Sequence, residues 1–132
     1  MTVLDTSAVI DYLLGGGVAQ AVHELVRDEG PTAAPDLLVF EVLAVLRRDV
    51  GRGDLSADRA RSALDDLGDL AMELFPMLAL RARAFELREN LTAADALFVA
   101  LAEALGEPLA TKDQGLARSA REHAEAEIVL LS

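Results

Sequence analysis

Short apolar runs alternate along this chain with longer stretches of helical period, the arrangement expected of a parallel sheet with helices on its faces. The runs are TVL near the start, TAA near position 32, MELF near 72, PLA at 108 and EIVLL at the end, so five short strands are predicted. Between them SAVIDYLL and VAQAVHELVRD repeat apolar residues at helical spacing, broken at Gly15, Gly16 and Gly17, whose freedom suits a turn. DLLVFEVLAVLRRDVGRG follows Pro35 with Asp36 as its predicted cap, and it ends in arginines and glycine as a helix C-terminus does. LSADRARSALDDLGDL is a helix capped by Ser56, MLALRARAFELREN another, and LTAADALFVALAEALG one capped by Thr92 and closed by Gly106; DQGLARSAREHAEA is the last. No internal repeat, long linker or low-complexity tract interrupts the pattern, and RRDVGRGDLS reads as a connector between two helices. Residues 1–132 are therefore expected to form one domain.

A chain of 132 residues is long enough to bury roughly two thirds of its unfolded surface. Hydrophobic residues make up 52% of it and aromatics only 4%, so the core must be built from Leu, Val and Ala, which favours helices packed on a small sheet. The formal net charge of -11 argues against simple binding of phosphates or of an anionic membrane surface. An acidic chain still handles nucleic acid when divalent cations stand between carboxylates and phosphates, and the same field recruits a basic partner. The absence of cysteine removes disulfides, thiolate metal sites and thiol chemistry. Apolar runs are cut by Glu41, Asp95 and Glu103 well short of a membrane span, and no basic-then-apolar leader opens the chain, so a cytoplasmic protein without membrane contact is expected. His23 and His123 fall on separate polar helical stretches and are expected at the surface.

Four acids stand in unusual company. Asp5 follows the first strand in VLDTS, where Asp5, Thr6 or Ser7 suits a helix cap, yet the carboxyl end of an early strand in an open α/β sheet is also where ligands bind. Glu41 has Leu37, Leu38, Ala44 and Val45 as its helical neighbours, which puts a carboxylate on the expected buried stripe; it needs a cation, a hydrogen-bond partner or an arginine such as Arg81 or Arg88. Asp95 lies among Leu91, Phe98 and Val99, either facing inward or completing a capping box with Thr92. Asp113 follows PLATK and precedes a helix, repeating the strand, hydroxyl, acid and helix context of Asp5. If the four meet above one edge of the sheet, their repulsion is relieved only by protons or divalent cations, and all-oxygen ligands select Mg2+ or Mn2+ over zinc.

At these places the sequence resembles the PIN-domain nucleases, and within them the VapC-like toxins of toxin–antitoxin pairs. The matching stretches are VLDTSAVIDYLL, FEVLAVLRR and ELRENLTAADALFVALAEALGEPLATKDQGLA, the last being the most specific. The resemblance implies an α/β, three-layer α/β/α PIN-like fold around a small, mainly parallel five-stranded sheet. It further implies a Mg2+-dependent endoribonuclease, with Mn2+ as the alternative ion, that uses water as nucleophile and leaves a 5′-phosphate. Carried over by motif, Asp5, Glu41, Asp95 and Asp113 form the catalytic and metal-binding quartet, while Thr6 and Thr111 supply hydroxyls that orient a carboxylate or a water at the metal. The implied partners are an RNA substrate, a cognate VapB-like antitoxin with a basic segment, and a second copy in a homodimer. Ala94 departs from the pattern, since a larger residue often precedes that acid, and this bears on substrate fit rather than on the metal.

Arg47, Arg48, Arg81, Arg83 and Lys112 could edge an RNA path, or simply solvate helix faces. A receiver-like Mg2+-binding signalling domain is the main rival, but it needs an acid pair at the first strand and an acceptor Asp at the end of the third, where this chain has Asp5 alone and ELFPM. A haloacid-dehalogenase-like phosphatase needs a second Asp where Ser7 stands. A catalytically degenerate PIN-fold binding module is the remaining alternative.

Overall fold

Each of the five apolar runs contributes a strand to a single sheet in the computed structural model, which describes all 132 residues. The strands are β1 (Thr2–Leu4), β2 (Thr32–Pro35), β3 (Met72–Phe75), β4 (Leu109–Thr111) and β5 (Ile128–Leu130), all parallel and ordered β3-β2-β1-β4-β5. Every residue of β1, β2 and β4 is buried, whereas none of the edge strand β3 is. Strands covered on both faces read as unbroken apolar runs, which is why these segments show no alternation in the sequence.

The helices are α1 (Thr6–Leu14), α2 (Ala19–Glu29), α3 (Leu37–Gly51), α4 (Ala57–Asp69), α5 (Arg81–Glu86), α6 (Ala93–Leu105) and α7 (Gln114–His123). Connections from β1 to β2 to β3 run one way along the sheet, and those from β3 to β4 to β5 run back past β1 the other way. Right-handed crossovers then put α1 to α4 on one face and α5 to α7 on the other, giving three α/β/α layers. Contacts follow that division: α1 packs on α2, α3 and α4, while α6 packs on α5 and lies across β1, β2 and β4.

With so few aromatics the filling is aliphatic. Val3, Leu4 and Leu109 of the sheet join Val9, Leu38 and Val42 from one layer and Val99 and Leu101 from the other in one core cluster, with Phe98 its largest fully buried side chain. Helix α6 buries Ala96 and an unbroken run from Phe98 to Ala102, as a central helix must. No helix is long and apolar enough to cross a membrane. Ser56 Oγ accepts the Arg59 N–H at 3.0 Å and Thr92 Oγ1 accepts the Asp95 N–H at 3.1 Å, so both expected caps form. Gly106 closes α6 with φ 66°, and Gly15 closes α1 with φ 74°.

Two expectations about elements fail for local reasons. Asp36 does not cap α3: its backbone is already helical, with φ -64° and ψ -13°, and its Oδ1 instead accepts the Met77 N–H at 3.2 Å. That bond ties the start of α3 to the turn after β3. MLALRARAFELREN is not one helix either, but a 3-10 segment Met77–Leu80, then α5, then turns. Helix α5 rests on α6 but buries none of its own residues fully, so little apolar burial rewards its extension.

Leu38 is fully buried between α3 and the sheet, while Ser56 is an exposed cap. Leu38→Ala is expected to lose about 2–5 kcal/mol and Ser56→Ala about 1 kcal/mol in urea unfolding with unchanged slopes.

Candidate functional site

The site begins with how β1 and β4 pair. Their register sets Val3 beside Leu109 and Leu4 beside Ala110, and the Asp5 N–H donates to the Ala110 carbonyl at 3.3 Å, which brings Asp5 level with Thr111. The two strands flank the point where the chain's direction across the sheet reverses, the crevice in which open α/β sheets hold ligands. Thr111 Oγ1 donates a short hydrogen bond to Asp5 Oδ2 and accepts the Asp113 N–H at 3.0 Å. One buried hydroxyl thus braces both strand-end acids.

Asp5 is a cap and a wall of the cleft at once. Its Oδ1 accepts the Ala8 N–H at 3.0 Å at the start of α1, and the Ser7 hydroxyl lies 3.0 and 3.1 Å from its two oxygens. Asp113 repeats the device, its Oδ1 accepting the Leu116 N–H at 3.0 Å at the start of α7. Capping takes one or two acceptor positions of a carboxylate that has about four, so neither acid is exhausted by it.

The other two acids come from helix faces. Glu41 projects from α3, where its Oε1 accepts a 2.6 Å hydrogen bond from Thr6 Oγ1, a length typical of a hydroxyl donating to a charged carboxylate. Its expected place on the buried stripe needs correcting: Leu38, Val42 and Leu46 form that stripe, Glu41 lies half-buried at its margin, and Ala44 is exposed. Its partner is a threonine rather than Arg81 or Arg88, which donate to the carbonyls of Leu78 and Phe85. Asp95 sits half-buried in the first turn of α6.

Asp5, Glu41, Asp95 and Asp113 line one cleft of about 360 Å³, together with Thr6, Ser7, Ile10, Val45, Arg48, Phe98 and Lys112. Thr111 stands behind Asp5. None of the four acids takes part in a salt bridge; the ion pairs of the chain use other carboxylates. Burial pushes the Asp5 carboxyl above its usual range against the pull of hydrogen bonds from Thr111, Ala8 and Ser7, and Asp113 adds to the rise. Asp95 is also raised, first by burial and then by Asp113, Asp5 and Glu41, with Thr92 opposing. The acids therefore feel one another across the cleft.

As a donor set, four carboxylates and three hydroxyls suit a hard divalent cation and nothing softer. No three acidic or histidine side chains stand where they would jointly hold an ion. A larger cavity of about 520 Å³ lies among α1, α2 and α4 with His23, Asp66 and Asp69 on its wall, but none of the four acids opens into it.

The expected basic edge is narrower than the sequence suggests. Arg48 and Lys112 reach the cleft, whereas Arg83 is taken by Glu103 at 2.7 Å and Glu86 at 3.1 Å, and Arg47 and Arg81 do not line it. Both histidines are exposed, as expected. Ser7 as a brace for Asp5, and Asp11 as the partner of Lys112 at 2.8 Å, are contacts that sequence reasoning missed. For Ser7 the signal was present in its two-residue spacing from Asp5, but the pairing of Asp11 spans most of the chain.

A PIN domain family model matches residues 2–122. The chain is 42% identical over 116 residues to ribonuclease VapC1 of Mycobacterium tuberculosis, covering 87% of each protein, and 36% identical over 129 residues to ribonuclease VapC12 of that organism, covering 98% of this chain and 99% of the relative. Among solved structures, the VapBC2 complex of Rickettsia felis bound to a promoter DNA fragment superposes with a TM-score of 0.74 at 14% identity, over 99% of this chain and 98% of that one. PAE2754 from Pyrobaculum aerophilum gives 0.70 at 20% identity, over 98% and 83%. The sheet order and layers found here are thus those of known folds, and the sequence matches carry the kinship further: the chain belongs to the PIN-domain family, and within it to the VapC-like proteins.

Proposed function

We propose that this protein is a Mg2+-dependent endoribonuclease, with Mn2+ as an alternative ion, acting as the toxin of a toxin–antitoxin pair. The observation that carries the reading is the gathering of four acids, unpaired by any arginine or lysine, in one cleft at the β1/β4 switch. Relatives named as ribonucleases support the substrate class. A bound divalent cation would neutralise charge on the phosphate under attack and activate water.

The residues of the chain divide the remaining work. Asp5 is the rigid member, held by Thr111, Ser7 and the Ala8 N–H, so its free acceptor positions keep a constant direction. Glu41 is held by Thr6 from the facing helix and stands across the cleft. Asp95 and Asp113 complete the anionic wall, and the half-buried setting of Asp95 raises the field an ion would experience there. Phe98 and Ile10 form an apolar side of the cleft.

The cognate partner is read as a VapB-like antitoxin with a basic segment that reaches the acidic cleft. Solved structures described as VapBC complexes support this, as does the net charge of -11. A homodimer is the proposed assembly. Phe40, Leu78 and Phe85 are each more than 60% exposed, and the Asp36–Met77 bond brings the α3 and 3-10 portions of this apolar surface side by side.

Purified protein freed of any partner should cleave structured RNAs when Mg2+ or Mn2+ is present and not in chelator, with Glu41→Gln losing at least about 100-fold in rate while still accepting the Thr6 bond. An inert wild type, or a Glu41→Gln variant as fast as wild type, overturns the reading.

Repulsion among the acids sets a second expectation. A carboxyl whose folded pKa is raised is protonated more readily in the folded state, so its stabilising contribution is complete below about pH 3.8 and is lost as pH rises through the raised value. In chelator, the melting temperature should therefore carry a downward component with rising pH across that window. Asp95→Asn should reduce that component and melt a few degrees higher than wild type near neutrality. Saturating Mg2+ at about 100 times its dissociation constant should restore about 2.7 kcal/mol. A lower metal-free melting temperature for Asp95→Asn would instead make helix capping the main role of that acid. For the assembly, Phe40→Glu should convert a dimer to a monomer in sedimentation velocity, and an unchanged sedimentation coefficient would place the contact elsewhere.

A further inference from the structure

Two cations reach the acidic cleft, and they are held very differently. Arg48 is 53% exposed and pairs with its chain neighbour Asp49 on the same helix. Lys112 Nζ instead donates at 2.8 Å to Asp11 Oδ1, a carboxylate only 11% exposed. Asp11 lies on α1 outside the cleft wall, and it has little freedom. Its Oδ2 accepts the Val18 N–H at 3.1 Å, and Gly16 packs so closely that a Cβ there would lie 2.4 Å from Oδ1. The glycine turn at 15–17 is folded around this carboxylate.

The lysine gains a fixed address from that arrangement. An ammonium has three donors; Asp11 takes one, and no other acceptor of the chain engages Nζ. Lys112 stands between Thr111, which braces Asp5, and Asp113, so a flexible cation at this position would be drawn onto the four acids and neutralise them. The pair with Asp11 holds it at the rim. A chain of net charge -11 repels a polyanion nearly everywhere, which makes an ammonium tethered beside the cleft an efficient place to seat a backbone phosphate.

We infer that Lys112 grips a phosphate of the RNA strand at the edge of the cleft, and that Asp11 is the positioning residue that keeps its ammonium there. The inference rests on the ribonuclease reading and adds to it a seat for the strand. Such a contact is independent of base identity, acts on strand binding rather than on bond cleavage, and responds to salt.

The test compares wild type, Lys112→Met, Lys112→Arg and Asp11→Asn in steady-state cleavage of a single-stranded RNA oligonucleotide. Binding of the same RNA is followed by fluorescence anisotropy in Ca2+ across a salt series, together with a thermal melt of each protein. Lys112→Met should raise KM and Kd about tenfold with kcat unchanged. The slope of log Kd against log salt should shrink by about 0.7. Lys112→Arg should recover most of the loss, and Asp11→Asn should fall between. Lys112→Gln makes the same comparison if the methionine variant folds poorly. A wild type that cleaves RNA while Lys112→Met keeps its KM and salt slope overturns this inference and leaves the nuclease reading intact, whatever the melting temperature does. A loss confined to kcat also overturns it. A wild type that neither binds nor cleaves this oligonucleotide overturns the inference, and one that is inert on structured RNAs as well overturns both.

Discussion

Pairing between β1 and β4 is the constraint from which the site follows. Two three-residue strands are joined in a register that leaves Asp5 and Thr111 level at their carboxyl ends, where a hydrogen bond ties one to the other. Because chain direction reverses across the sheet at this pair, the helices leaving β1 and β4 diverge to opposite faces and open a crevice between them. Slipping the register by one residue would move Asp5 off Thr111 and turn every β1 side chain to the other face. The surrounding aliphatic core enforces that register, since Val3, Leu4, Leu109 and Ala110 are all fully buried.

Into this crevice the fold drives charge that it does not neutralise. Asp5 is 6% exposed, and its burial outweighs three hydrogen bonds that favour the ionised form. The two cations that reach the cleft are occupied elsewhere: Arg48 with Asp49 and Lys112 with Asp11. A protein arranged for stability alone would have turned one of these cations inward, since an unpaired buried carboxylate costs more than a paired one. The unmet charge is the feature that separates this cleft from the larger cavity beside α4, where exposed polar groups are free to hydrate.

How much of this could be read from residues alone depended on the range of the interaction. All five strands were legible because buried parallel strands leave short apolar runs between helical periods, and Ser56, Thr92 and Gly106 were legible because capping acts over a few residues. Asp5 and Asp113 stood out through their repeated context of strand, hydroxyl and acid. Glu41 was found by its apolar neighbours, although those neighbours placed it too deep; periodicity marks a face, not how far the next helix covers it. Asp36 failed because its bond to Met77 crosses 41 positions, and the pairing of Lys112 with Asp11 crosses 101. Capping residues also wait for backbone geometry that spacing does not reveal, as the helical φ and ψ of Asp36 demonstrate.

The double duty of Asp5 has a consequence for how this molecule can be silenced. Alanine at that position would strand the Ala8 amide and the Ser7 and Thr111 hydroxyls without an acceptor, so inactivation and misfolding would arrive together. Even asparagine, the neutral isostere, must turn an NH2 group toward one of three donors. Glu41 receives a single hydroxyl, which the amide oxygen of glutamine can still accept, so the chemistry is most separable from the scaffold on the α3 side of the cleft. Genetic drift toward an inert but well-folded descendant would meet least resistance there, and most at the first strand.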